Sequence, residues 1–161
     1  MISIAQRNGE TGVRFRVDDR RTLGILCAMS VIKFGTSGWR GIIADTFTFA
    51  SVERAARAVA EYPSESPPPK AKKLLIIGHD TPFLSREFAT RCAEIVTRCG
   101  FEVMLTDRNA PTPVISHSIR VHKAAGGINI TASHHPPQCN GLKFNEANWA
   151  PCSPETAKLK S

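Results

Sequence analysis

LLIIGHDTPFLSREFATRCAEIVTRCGFEVML, residues 74–105, decides the fold class. Residues 74–78 form a continuous apolar run, the pattern of a strand covered on both faces. From Ser85, a capping candidate, Phe88, Cys92, Ile95, Val96 and Cys99 recur at helical spacing. Gly100 suits the C-terminal cap of that helix. Residues 101–105 then read as a second strand. A strand, a helix and a strand in this order imply two parallel strands joined by a crossover.

The same alternation extends in both directions. Upstream, Thr48 is an N-cap candidate, and Val52, Ala55, Ala56, Val59 and Ala60 line one helical face. Pro63 is expected to end that helix, and PSESPPPKAKK over residues 63–73 reads as a linker. Residues 31–34 and 41–44 read as short strands around a Gly-rich loop. Downstream, Thr112 and Pro113 read as the N-cap and first residue of a helix that buries Val114, Ile115 and Ile119. Residues 126–131 and 142–144 are two further strands. The expectation is an α/β domain, a mixed, largely parallel sheet with helices on both faces, an α/β/α sandwich. Ligands of such sheets gather at the carboxyl ends of strands. Two polar, Gly-containing segments fall there, residues 35–41 and 131–141.

Composition bounds the function. A chain of 161 residues with 42% hydrophobic and 22% charged residues fits about one ordinary globular domain. No apolar run approaches the ~20 residues of a membrane span. Residues 23–32 are the nearest thing to a signal-peptide core, but no cleavage site follows. The net charge of +7 fits a nucleic-acid binder or an enzyme of phosphorylated substrates. The bases are scattered apart from Lys70, Lys72 and Lys73. With one Tyr and two Trp, the interleaved aromatics of a single-strand binder are missing. Five cysteines (Cys27, Cys92, Cys99, Cys139, Cys152) without a CxxC pair argue against a disulfide framework and for a reducing, cytoplasmic setting. Residues 1–30 are Arg-rich and aperiodic. They are expected to be an extension, disordered or not native, with Met29 as a candidate start.

ITASHHPPQCNGLKF, residues 130–144, is the stretch richest in chemistry. Ser133 follows a strand in a loop stiffened by Pro136 and Pro137, where a hydroxyl is placed as an exposed nucleophile. His134 and His135 are adjacent, and Lys143 can neutralise phosphate or move protons. Read from residue chemistry alone, the stretch fits better a plain strand–turn–strand whose Ser and Thr satisfy turn amides, since both are common turn residues. TASHH is not a GxSxG elbow, and His134, His135 and Cys139 match no usual zinc spacing. In FGTSGWRG, residues 34–41, the glycines let amides approach an anion, Thr36 and Ser37 add hydroxyls, and Arg40 offers a bidentate fork. A hairpin turn with Arg40 on the surface is the plainer alternative.

FGTSGWRG, GHDT at 78–81, Thr112–Pro113 and TASHHPPQCNGLKF in this order resemble the α-D-phosphohexomutases, closest to the phosphoglucomutase/phosphomannomutase branch. The resemblance covers residues 31 to about 156. It implies that Ser133 is the phosphorylated serine and that Lys143 is the general acid/base. It also implies that His134 is a phosphate or proton partner, that Arg40 is a catalytic arginine, and that Thr36, Ser37, Arg40 and Lys143 bind substrate. The implied reaction interconverts hexose 1-phosphate and hexose 6-phosphate through a hexose 1,6-bisphosphate, which also serves as activator. Mg²⁺ is implied at the Ser133 phosphate, its other ligands in further domains. The implied partners are a phosphorylated hexose and the missing mutase domains, with no nucleic acid and no membrane.

Three positions depart from the family pattern. His135 replaces an Asn, Pro82 replaces an Arg, and Cys139 stands where an aromatic is common. The family has four domains around one cleft, whereas residues 31–161 cover the first and are expected to stop early, in a helix begun at Pro154. The domain alone is therefore not expected to sustain turnover. A catalytically inactive remnant or binding module of the same fold is the rival reading.

Overall fold

The structure, a computed structural model, describes residues 32–35, 38–65 and 72–148. The expectations for residues 1–30, for Thr36 and Ser37 and for the helix begun at Pro154 fall outside these residues. β1 (Trp39–Ile42), α1 (Phe49–Glu65), β2 (Lys72–His79), α2 (Ser85–Arg98) and β3 (Glu102–Leu105) are followed by α3 (Thr112–His122), β4 (Ala124–Ile130) and β5 (Cys139–Glu146). The sheet order is β1-β5-β4-β2-β3. β2 pairs in parallel with both β3 and β4, while β5 is antiparallel to both β4 and β1. β5 alone runs against the others.

Strand alternation assigns the two faces. Leu75 and Ile77 of β2, Ile128 and Ile130 of β4, and Leu142 and Phe144 of β5 join Trp39 in one core with α1 and α2. Leu74 and Ile76 pack with Ile115, Ile119 and Ala124 in a smaller core under α3. The result is the expected α/β/α arrangement. All seven residues of β4 are buried, as suits a central strand covered on both sides. Trp39 is a packing residue, stacked on Phe47 with ring centroids 4.7 Å apart.

Local chemistry explains the helix ends. The Thr48 hydroxyl accepts from Ser51 N–H at 3.2 Å and the Ser51 hydroxyl accepts from Thr48 N–H at 2.9 Å, a reciprocal cap at the start of α1. At the end of α2, Gly100 N–H donates to Thr97 and Phe101 N–H to Val96, the paired bonds of a Schellman motif. α1 runs past Pro63 to Glu65, two residues beyond the expected end. A proline in the last turn removes only one helical hydrogen bond.

Five other expectations are corrected. Ser85 does not cap α2. It is the first helical residue, Leu84 precedes it in a left-handed conformation, and its hydroxyl accepts from Asn140 Nδ2 at 2.9 Å. In α3 the cap moves one residue back to Pro111, and Val114 is exposed rather than buried. Residues 32–34 form no strand, and Gly35 N–H donates to the Gly38 carbonyl at 2.9 Å in an isolated bridge just before β1. β5 has eight residues where a three-residue strand was expected. Its buried Asn140 and Asn145 break the apolar pattern.

Candidate active site

Ser133 sits in the turn between β4 and β5, at the carboxyl end of β4. It is exposed and takes φ 60. The left-handed region costs a residue with a side chain about 1–2 kcal/mol, so the surroundings must hold it there. They do so from both sides. Ser133 N–H donates to Thr131 Oγ1 at 3.0 Å. His135 N–H donates to the Ala132 carbonyl at 3.2 Å, and His135 Nδ1 lies 3.0 Å from that same oxygen. His135, where the family pattern has Asn, thus closes the loop with its own ring. The Ser133 hydroxyl lies 3.2 Å from His134 Nδ1, and the two histidine rings lie 5.5 Å apart.

Asp80 and Thr131, which the sequence reading did not single out as site residues, form the floor of this loop. Thr131 is 2% exposed. Its N–H donates to Gly141 at 2.8 Å, and its hydroxyl donates to Asp80 Oδ2 at 3.0 Å. Asp80 Oδ1 accepts from Thr81 N–H at 2.8 Å. The signal available in the sequence was an Asp directly after an apolar strand, together with a threonine two residues before the serine.

Lys143 and Arg40 come from β5 and β1. In the register Lys143 lies opposite Asn129 and Arg40 opposite Gly141. Trp39 and Leu142 point into the α1/α2 core, so Arg40 and Lys143 point to the other face. On that face α3 packs on β4 and β2. The two cations therefore stand beside α3 on the β5–β1 side of the sheet. Lys143 is half-buried, and burial followed by the charge of Arg40 pulls its pKa below the usual lysine value, against an opposing pull from Asp80.

Two glycines let these strands meet. A Cβ on Gly141 would lie 2.7 Å from the Thr131 carbonyl oxygen, 2.7 Å from Arg40 Cγ and 2.9 Å from the Trp39 carbonyl oxygen. Gly38 takes φ +97, and a Cβ there would fall 2.3 Å from the Leu142 oxygen. Arg40, Ser133, His134 and Lys143 are thus carried to one end of the sheet on three converging segments. Thr36 and Ser37 lie outside the described residues.

Among the described residues no group of three or more His, Cys, Asp or Glu could hold a metal ion. Asp80 already accepts through both oxygens. Mg²⁺ favours near-octahedral oxygen ligation, so the described residues do not make a magnesium site by themselves. Cys92, Cys99 and Cys139 are free thiols, and burial pushes Cys92 up to about 12. No helix among the described residues is long and apolar enough to cross a membrane.

These features define a three-layer α/β domain with a polar, basic site at the carboxyl end of a central parallel strand. The family model "Phosphoglucomutase/phosphomannomutase, alpha/beta/alpha domain I" matches residues 31–160, and the chain belongs to this family. It is 32% identical over 129 residues to a phosphoglucomutase of Staphylococcus haemolyticus, covering 78% of this chain and 23% of that protein. It is 34% identical over 150 residues to a phosphoglucosamine mutase of Rippkaea orientalis, covering 89% and 30%. A crystal structure from Thermus thermophilus, of a protein assigned as a phosphomannomutase, superposes with a TM-score of 0.73 at 42% identity, covering 80% of this chain and 28% of that one. The chain spans about a quarter of the length of the curated phosphoglucomutases it matches.

Proposed function

We propose that this domain carries the phosphate-accepting serine of a phosphohexose mutase, and that Ser133 is that residue. The observation that carries the reading is the backbone of Ser133. It is an exposed serine held in a left-handed conformation by hydrogen bonds on both sides, at the strand end where α/β domains bind ligands. Strain maintained in this way at a strand end is a mark of functional turns.

In the proposed cycle, Ser133 carries the phosphoryl group. A sugar hydroxyl attacks phosphorus, the new sugar O–P bond forms, the Ser133 O–P bond breaks, and the Ser133 oxygen takes a proton from His134, whose Nδ1 lies 3.2 Å away. The hydroxyl proton passes to Lys143, whose pKa is lowered from the usual lysine value by burial and then by the charge of Arg40. The bisphosphate turns over, and Ser133 gives its proton back to His134 and takes the other phosphate as Lys143 returns its proton to the departing sugar oxygen. Arg40, with Thr36 and Ser37, holds substrate phosphate, and His134 orients the Ser133 hydroxyl. The domain alone presents the nucleophile and its nearest cations without clamping the rest of the substrate. Single phosphorylation is therefore expected of it, and sustained turnover is not.

The test incubates the protein with Mg²⁺ and ³²P-labelled glucose 1,6-bisphosphate, followed by peptide mapping. Label on Ser133, absent from Ser133→Ala, is the expected result. Label on Thr131 or elsewhere would move the nucleophile, and no label at all would favour the inactive-module reading.

A further inference from the structure

We infer that Asp80 is a positioning residue for Ser133 and acts through the Thr131 hydroxyl. The inference rests on the reading of Ser133 as the phosphate acceptor.

The polarity of the connection is fixed by chemistry. A carboxylate only accepts, so at the 3.0 Å contact the Thr131 hydroxyl must donate its single hydrogen to Asp80 Oδ2. What remains on Thr131 Oγ1 is lone pairs, and one of these receives the Ser133 N–H at 3.0 Å. The carboxylate therefore sets which way the Thr131 oxygen presents its acceptor side. Without it, the hydroxyl hydrogen is free to rotate toward another acceptor, and the lone pair is no longer aimed at Ser133.

Each link is anchored independently. Asp80 N–H donates to the Ile130 carbonyl at 2.9 Å, which ties the end of β2 across to β4. Asp80 Oδ1 is occupied by Thr81 N–H. Thr131 is held on its other side by the Gly141 carbonyl of β5. The strand bonds thus fix the backbones of Asp80 and Thr131, the carboxylate takes the Thr131 hydroxyl hydrogen, and the remaining bond of that hydroxyl goes to the residue with the unfavourable φ. A hydrogen bond to a charged acceptor is stronger than one between neutral groups, so the charge sits at the link that governs the others. Ser133 Oγ must meet phosphorus in line with the departing oxygen, and misplacement by ~1 Å can cost about a hundredfold in rate.

The experiment compares Asp80→Ala, Thr131→Val, Thr131→Ser and the Asp80→Ala/Thr131→Val double variant with the wild-type chain, folding of each being checked by far-UV circular dichroism. The first readout is hydrogen exchange at the Ser133 amide, which needs no substrate. Asp80→Ala and Thr131→Val should each speed it about five- to tenfold, as for loss of one hydrogen bond. Thr131→Ser, which keeps the hydroxyl, should stay near wild type. The second readout is the rate of Ser133 labelling by glucose 1,6-bisphosphate. It should fall about 10- to 100-fold in both damaging variants, with no further loss in the double variant, because the residues act in series. Thr131→Ser should restore labelling, which separates positioning from a general packing role. Wild-type amide exchange in Asp80→Ala, multiplying losses in the double variant, or Thr131→Ser as impaired as Thr131→Val would each overturn the inference. Absence of labelling in the wild-type chain would instead refute the phosphate-acceptor reading, and amide exchange would still decide the connection from Asp80 to Ser133.

Discussion

Gly141→Ala adds one methyl group at the point where β1, β5 and the Ser133 loop meet. The new Cβ would lie 2.7 Å from the Thr131 carbonyl oxygen and 2.9 Å from the Trp39 carbonyl oxygen. These are backbone atoms of two different segments, so no single side-chain rotation relieves the clash. The third close atom, Arg40 Cγ at 2.7 Å, belongs to a flexible chain and gives way more readily. Overpacking of this kind costs about 1–3 kcal/mol. Straining the 2.8 Å bond from Thr131 N–H to Gly141 adds about 0.5–1.5 kcal/mol. Replacing glycine within a strand returns about 0.5–1 kcal/mol. The net expectation is a loss of about 1–3 kcal/mol, or a Tm lower by about 4–12 °C for a domain of this size. Gly35→Ala is the control, since among the described residues its Cβ would meet the Gly38 oxygen alone, at 3.6 Å, an ordinary contact. That variant should stay within about 0.5 kcal/mol of wild type. Urea and thermal unfolding, followed by circular dichroism, decide the matter. Equal midpoints for Gly141→Ala and wild type, or an equal loss in Gly35→Ala, would refute the steric reasoning.

Other outcomes follow from the same geometry. Asn140 is fully buried, donates to Phe83 O at 3.1 Å and Ser85 Oγ at 2.9 Å, and accepts from Gly141 N–H at 2.8 Å. Asn140→Ala should cost about 2–4 kcal/mol by leaving those partners unsatisfied, measured by urea unfolding. Lys143 has a lowered pKa when folded, so the folded state binds fewer protons than the unfolded chain between that value and 10.5. Wild-type stability should therefore rise with pH through that window relative to Lys143→Met, and parallel pH profiles for the two proteins would contradict it. Phosphorylation of Ser133 should raise the Lys143 pKa again, because the added anion favours the ammonium. NMR titration of the lysine Nζ resonance reads that shift directly.

Elements with a local cause were legible in the sequence. The face of α2 follows from Phe88, Cys92, Ile95 and Val96 at helical spacing, and all four are buried. The reciprocal cap at Thr48 and Ser51 lies within one turn of chain. What escaped depends on distant partners. Ser85 has a capping residue's chemistry, but Asn140, 55 positions away, claims its hydroxyl. The length of β5 was hidden because Asn140 and Asn145 look like loop residues until their burial is known. At the candidate site, Ser133, His134, Lys143 and Arg40 stood out by residue type and motif. Asp80 lay within the GHDT motif but carried no role there, because its contact with Thr131 spans 51 positions and appears only when β2 and β4 lie side by side.

The antiparallel placement of β5 has a consequence for the order in which this domain assembles. β1 is an edge strand whose ladder partner is β5, and Trp39 pairs with Leu142 about a hundred residues later in the chain. Contacts this distant carry a large loop-closure entropy and tend to form late. The β2–α2–β3 unit can pair locally, whereas Arg40 reaches its seat only after β5 has settled against β4. A chain stopped before residue 139 would lose Lys143 together with the strand against which Arg40 is aligned. The cationic end of the sheet therefore reports on completed folding: it comes into being with the last strand and not before.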